Sequence, residues 1–212
     1  MIGILDYGMG NLRSVEKALQ RVGADARVVA DAEALAGCDR LVLPGVGAFG
    51  DGMQHLREAG FVQAIRDYHA TGRPLLGICL GMQLLFDASE EGAADTTQPV
   101  PGLGLLPGSV QRFHEDQGPG KPRLKVPHMG WNSIDFAPDC PLFTGLTPGD
   151  HVYFVHAYYC QPGEPAHCAA TTGYGQAFCA AVHRDNLWAT QFHPEKSQHV
   201  GLQILNNFAS ST

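Results

Sequence analysis

Residues 74–86 read PLLGICLGMQLLF, and the fold of the chain turns on them. Pro74–Ile78 is a short apolar run of the kind that forms a strand buried on both faces of a parallel sheet. A helical pattern takes over from about Leu80. Between the two sits Cys79, with Gly77 and Gly81 two residues away on either side. A cysteine in such a run is most often a small buried hydrophobe. The flanking glycines favour a second reading. Gly-x-Cys-x-Gly between a strand and a helix has the layout of a nucleophile elbow, where small neighbours let the backbone turn sharply. A thiol there projects over the carboxyl end of the sheet, and the helix terminus behind it favours a thiolate by at most about 2 kcal/mol. A free cysteine ionises near 8.5, so a base is still required.

The surroundings of this stretch alternate strand and helix. Ile2–Leu5, Ala26–Val29 and Leu41–Leu43 read as strands, the last ending at Pro44. Leu12, Val15, Ala18, Leu19 and Val22 share one helical face, with Asn11 placed to cap that helix. Further helices are expected over Asp51–Glu58 and Phe61–His69. Such alternation predicts an α/β fold with a mostly parallel central sheet flanked by helices. The second half adds β structure: Val152–His156, Phe178–His183 and Trp188–Phe192 read as strands, and Val200–Phe208 as a closing helix. Pro101–Ser109 is rich in glycine and proline, and 117–122 reads as a hairpin turn or exposed loop. No linker or repeat interrupts the 212 residues, so a single domain over 1–212 is expected.

Composition narrows the function. Apolar residues make up 44% and the net charge is −7, with no run of Lys or Arg, which argues against nucleic-acid or anionic-membrane surfaces. The start MIGILDYGMG lacks the basic region of a signal peptide, and the longest uncharged run falls short of the roughly 20 residues that span a bilayer. Six cysteines with no C-x-x-C pair and no zinc-like spacing read as reduced thiols of a cytoplasmic protein. Ten histidines form no H-E-x-x-H or comparable motif, so no metal and no cofactor is predicted. The turn Tyr7-Gly8-Met9-Gly10-Asn11 fails the dinucleotide fingerprint because Arg13 stands where its third glycine belongs.

A base for Cys79 is available in Thr190-Gln191-Phe192-His193-Pro194-Glu195-Lys196-Ser197. Pro194 biases His193 toward extended backbone, where residues two apart face the same side. Glu195 can then fix the imidazole tautomer while the other ring nitrogen meets the thiol. Taken alone, this is better read as a surface His-Pro-Glu turn. An H-x-E also opens a zinc deaminase signature, but the later P-C-x-x-C is absent. Oxyanion donors are the amide of Leu80 and one from Val46 or Gly47, in the glycine-rich 44–50 that follows the third strand. Glycines at 45 and 47 could let a peptide there adopt more than one orientation.

GICLGMQ (77–83) with QFHPEKS (191–197) resembles the class I, triad-type glutamine amidotransferases. DYGMGNL (6–12), PGVGAFG (44–50), PHMGWN (127–132) and YFVHAYY (153–159) resemble, more narrowly, the glutaminase subunits of imidazole glycerol phosphate synthases. The amidotransferase subunits of anthranilate and aminodeoxychorismate synthesis usually have histidine where Met82 stands. The resemblance implies a flavodoxin-like fold and hydrolysis of glutamine through a thioester on Cys79, with His193 and Glu195 as base and orienter. Ammonia would pass to a (β/α)8-barrel cyclase partner in a heterodimer for histidine biosynthesis. It further implies that Gly47, Gln83, Glu91 and Tyr158 line the glutamine site and that Asn11, Trp131, Tyr153 and Lys196 face the partner. Segments 92–123 and 160–176 match no motif. Competing readings are a stand-alone cysteine hydrolase of similar fold and a non-catalytic assembly subunit, the latter disfavoured by the intact Cys79, His193 and Glu195.

Overall fold

The computed structural model describes residues 1–93, 98–120, 122–137 and 139–211. Its sheet is built around the quoted stretch. Strand β4 (Leu75–Cys79) is buried along its whole length, and parallel neighbours pair with it on both sides. An unbroken apolar run suits that position because no face of the strand meets water. On one side lie β3 (Arg40–Gly45), β1 (Ile2–Leu5) and β2 (Ala26–Val29), and on the other β14 (Leu187–Thr190). The resulting order, β2-β1-β3-β4-β14, is all parallel and flavodoxin-like.

Helices cover both faces, and the period-two alternation of the strands feeds two cores. Ile4, Val42, Leu76 and Ile78 face α1 (Leu12–Arg21) and the closing α5 (Gln198–Ser210). Leu5, Leu41, Leu43 and Leu75 face α2 (Phe49–Glu58) and α3 (Phe61–Ala70). The short α4 (Leu80–Leu84) follows β4 without a break.

The same sheet continues into the second half with the strands turned antiparallel. Beyond β14 come β13 (Gln176–Arg184), β11 (Tyr158–Pro162), β7 (Leu106–Arg112), β5 (Phe86–Ser89) and β6 (Val100–Pro101). Of these joins, only β5 with β7 is parallel. β12 (Cys168–Tyr174) pairs with β13 and with β9 (Asp135–Phe136). A separate antiparallel pair, β8 (His128–Ser133) and β10 (His151–His156), carries the HMGWN and YFVH motifs in register. No helix among the described residues is long and apolar enough to cross a membrane.

Three local expectations change. Asn11 precedes α1 but makes no side-chain cap; its carbonyl alone accepts from the amides of Ser14 and Val15, and its side chain stays exposed. Helix α2 begins at Phe49 rather than 51, because the carboxylate of Glu91 accepts a 2.8 Å hydrogen bond from the Phe49 amide. β14 stops at Thr190 rather than Phe192; the Gln191 amide still donates to the Ala180 carbonyl at 2.8 Å, and its side chain is fully buried. In the glycine- and proline-rich 101–109, Pro101 and Leu106–Ser109 are strand and the residues between them are not; the second strand packs closely, since a Cβ on Gly108 would lie 2.3 Å from the Gln161 carbonyl oxygen. Gln117–Gly120 lies in neither helix nor strand, while Lys121 of that same turn is outside the described residues.

Candidate active site

The turn at Cys79 is strained. Its backbone sits at φ 55°, ψ −110°, a conformation that costs a non-glycine residue about 1–3 kcal/mol and clusters at functional sites. The two flanking glycines make the turn possible. A Cβ on Gly81 would lie 1.8 Å from the Leu43 carbonyl oxygen, and one on Gly77 would lie 2.9 Å from the Gly81 backbone. Helix α4 can therefore start directly against β3, with Cys79 at its N-terminus. Only 6% of Cys79 is exposed.

His193 and Glu195 meet as a pair. The ring Nδ1–H donates to Glu195 Oε1 at 2.8 Å, and both side chains are almost fully buried. His193 is extended, as a residue before proline should be, but Pro194–Lys196 forms a 3₁₀ turn rather than continuing extended. That turn, closed by the Lys196 amide donating to the His193 carbonyl, is what brings the carboxylate back to the ring. Nε2 has no hydrogen-bond partner among the described residues, which leaves it facing the cavity with Cys79. Burial disfavours charge on this ring, but interactions with Cys79 and Glu195 outweigh it, and its pKa is raised to about 9. Because Nε2 is unpartnered, the attraction of Cys79 acts across the cavity rather than through a formed hydrogen bond.

Parallel register sets Gly45 opposite Cys79, so the chain after β3 runs beside the elbow. Tyr7 anchors it: its hydroxyl donates to the Pro44 carbonyl at 2.8 Å. Burial, aided by the charge of Cys79, raises the Tyr7 pKa and keeps the phenol a donor. The two glycines have different duties. Gly47 has φ +98°, whereas Gly45 is an ordinary strand residue whose Cβ would meet the Tyr7 hydroxyl at 2.6 Å and Leu80 Cβ at 2.8 Å. Conformational freedom thus belongs to Gly47, and Gly45 serves close packing.

These elements enclose a cavity of about 400 Å³. Val46, Gly47, Cys79, Leu80, Gln83, Glu91, Tyr158 and His193 all line it, with Glu195 behind His193. Gln83 sits in the wall with its amide nitrogen committed to the Tyr158 carbonyl at 3.2 Å and Gln191 Oε1 at 3.1 Å. Burial raises the Glu91 pKa, partly offset by its hydrogen bond from Phe49. Pro127, Val155, His156 and Ala157 also line the cavity without having been singled out in the sequence. Three of them lie within the quoted YFVHAYY, the signal that could have found them. No group of three or more potential metal ligands occurs among the described residues.

The glutamine amidotransferase class-I family model matches residues 3–211. The chain belongs to this family. Among curated relatives, the imidazole glycerol phosphate synthase subunit HisH of Syntrophotalea carbinolica is 56% identical over 208 residues, covering 98% of each chain. The HisH subunit of Geobacter metallireducens is 51% identical over 210 residues, covering 99% of this chain and 98% of the relative. Among solved structures, PurLQS from Thermotoga maritima superposes with TM-score 0.73 at 18% identity, over 98% of this chain and 96% of the other. A further glutamine amidotransferase structure gives 0.72 at 24% identity over 98% of each. At such identity these neighbours show the class-I amidotransferase fold alone.

One face of the amidotransferase stays uncovered beside the cavity. Trp131 is 47% exposed and Met129 63%, on strand β8. Tyr153 pairs with Trp131 in register and meets it edge-on at 6.1 Å between ring centroids. Lys196 Nζ lies 6.0 Å from the Tyr153 ring centroid and also lines the cavity. Asn11 is exposed at the start of α1, next to Gly10, whose Cβ position touches Pro44.

Proposed function

We infer that this chain is the glutaminase subunit of an imidazole glycerol phosphate synthase, one domain over 1–212. Its HisH relatives and the elbow, base and oxyanion loop around one cavity support the reading. The observation that carries it is the strained Cys79 sharing a cavity with a His193 that Glu195 orients.

Cys79 passes its thiol proton to His193 Nε2, and the thiolate sulfur attacks the side-chain carbonyl carbon of glutamine, forming a C–S bond and an oxyanion. Amides of Leu80 and of Val46 or Gly47 receive the negative oxygen. His193, holding its proton well above neutral pH, delivers it to the departing nitrogen, and the C–N bond breaks to release ammonia. The neutral ring then takes a proton from water, which attacks the thioester and frees glutamate and Cys79. Gln83, Glu91, Gly47 and Tyr158 shape the glutamine pocket, with Glu91 Oε1, which has no hydrogen-bond partner among the described residues, available to an α-ammonium group. Ammonia passes to a (β/α)8-barrel cyclase subunit that docks on Trp131, Tyr153, Lys196 and Asn11 as a heterodimer. The uncovered aromatic face at the cavity rim supports that docking. The six free thiols suit a reducing cytoplasm.

The test is glutamate release by the complex with the cyclase. Cys79→Ala should lower turnover by at least about 10³-fold while leaving co-purification intact. Retention of more than about a tenth of the turnover, on the scale of such losses, would remove Cys79 from the mechanism.

A further inference from the structure

Behind the nucleophile two lines of hydrogen bonds converge on one acceptor, the Tyr158 carbonyl, and the first of them runs through Asn132, His128 and His156, which were given no chemistry above. At one end, the Gly173 carbonyl can only accept, so Asn132 must present its amide nitrogen there, at 2.9 Å. The Asn132 oxygen confirms the orientation by accepting from the Ser133 amide at 2.9 Å. The same Asn132 nitrogen lies 3.4 Å from His128 Nε2, which must then be the acceptor. A neutral His128 therefore carries its proton on Nδ1 and donates to His156 Nε2 at 3.1 Å. His156 in turn carries its proton on Nδ1 and donates to the Tyr158 carbonyl at 2.7 Å.

The second line ends on the same carbonyl. Tyr158 O can only accept, which makes both His156 Nδ1 and Gln83 Nε2 donors to it. Gln83 Nε2 also donates to Gln191, so Gln191 must offer its oxygen, at 3.1 Å. That leaves the Gln191 amide nitrogen turned toward Cys79 Sγ, at 3.9 Å, the outer reach of an N–H···S contact. No ring in the line needs a charge. Burial agrees, pushing His128 down to about 4 and His156 to about 3.

We propose that Gln191 is a further catalytic residue, its amide N–H stabilising the Cys79 thiolate, and that the Asn132–His128–His156 line is a positioning device that holds in place the Tyr158 carbonyl on which Gln83, and through it Gln191, is turned. The proposal rests on Cys79 being the nucleophile. A neutral thiol gains little from such a donor, but an anionic sulfur pulls it in, because hydrogen bonds to charged groups are shorter and stronger. The side chain is fully buried, so water cannot replace it. Asn132 also adjoins Trp131 on β8, so the line begins on the strand that carries the uncovered face.

The measurement is alkylation of Cys79 by iodoacetamide as a function of pH, with kcat and KM for glutamine in the cyclase complex and a melting curve for each variant. Gln191→Met keeps the volume and removes the donor. It should slow alkylation near neutral pH, move the alkylation profile to higher pH, and lower kcat by roughly 10- to 100-fold, the range for a hydrogen bond to a charged group. KM should stay within about threefold, since the contact is to the nucleophile rather than the substrate. His128→Phe should fit the stack between Phe154 and Tyr174, at 4.8 and 4.0 Å, and cut the line. It should slow alkylation by itself and add nothing in the Gln191→Met background. Unchanged alkylation and kcat in Gln191→Met overturns the role of Gln191; fully multiplicative losses overturn the line. Should Gln191→Met not fold, Gln83→Leu removes the group that turns the Gln191 amide, and slower or unchanged alkylation decides in the same way. Failure of wild-type Cys79 to be alkylated with loss of activity would instead refute the nucleophile itself.

Discussion

Gly81→Ala should damage both stability and turnover, and the structure sets the scale. The added Cβ would lie 1.8 Å from the Leu43 carbonyl oxygen and 2.8 Å from its carbon, both backbone atoms that no rotamer change can move. Opening that contact from 1.8 to 3.0 Å requires α4 and β3 to part by about 1.2 Å. Overpacking of this kind costs about 1–3 kcal/mol. At roughly 2–4 °C per kcal/mol for a chain of this length, Tm should fall by about 2–12 °C. The same displacement separates Leu80 from the loop after Gly45, which faces Cys79 in register. A misplacement near 1 Å can cost about 10²-fold, so kcat should fall on that order. Gly37→Ala is the control, because no heavy atom lies within 4 Å of its added Cβ; it should leave turnover unchanged and Tm within about 2 °C. Differential scanning calorimetry and glutamate release read the two effects. A Gly81→Ala protein with Tm within 2 °C of wild type and kcat within threefold, against the about 10²-fold expected, would refute the reasoning.

Three further outcomes follow from the site. His193→Asn should approach the loss seen for Cys79→Ala, and Glu195→Gln should cost less, because the carboxylate acts only through the ring; a reversed order in kcat would reassign the roles. Because the His193 pKa rises from 6.5 to about 9 on folding, it contributes stability that is full below 6.5 and lost as pH climbs through 9, about 3 kcal/mol in all. The Tm difference between wild type and His193→Gln should therefore shrink from pH 6 to pH 10, and a constant difference would contradict the shift. Trp131→Ala and Lys196→Ala should weaken stimulation of glutamate release by the cyclase while Cys79 remains open to alkylation, which titration of the cyclase into each variant measures.

The local sequence determined most of the parallel half and the chemistry of the site. Runs such as Leu75–Cys79 and Ile2–Leu5 announce buried strands because neither face needs a polar residue, and the Gly-x-Cys-x-Gly turn is local in its sterics. His193 and Glu195 are two residues apart, so proline geometry nearly suffices to join them, although a 3₁₀ turn rather than extended chain completes the pairing. Tertiary structure decided what depends on partners distant in sequence. The start of α2 is set by Glu91, the strands within 101–109 by close contact with Gln161 and its neighbours, and the exposed side chain of Asn11 by a helix that needs no cap from it. Gln191 shows the division most clearly. Its place beside His193 is written in the chain, but a side-chain amide is symmetric in shape, and which end meets the sulfur is settled only by Gln83 and the Tyr158 carbonyl that folding brings within reach.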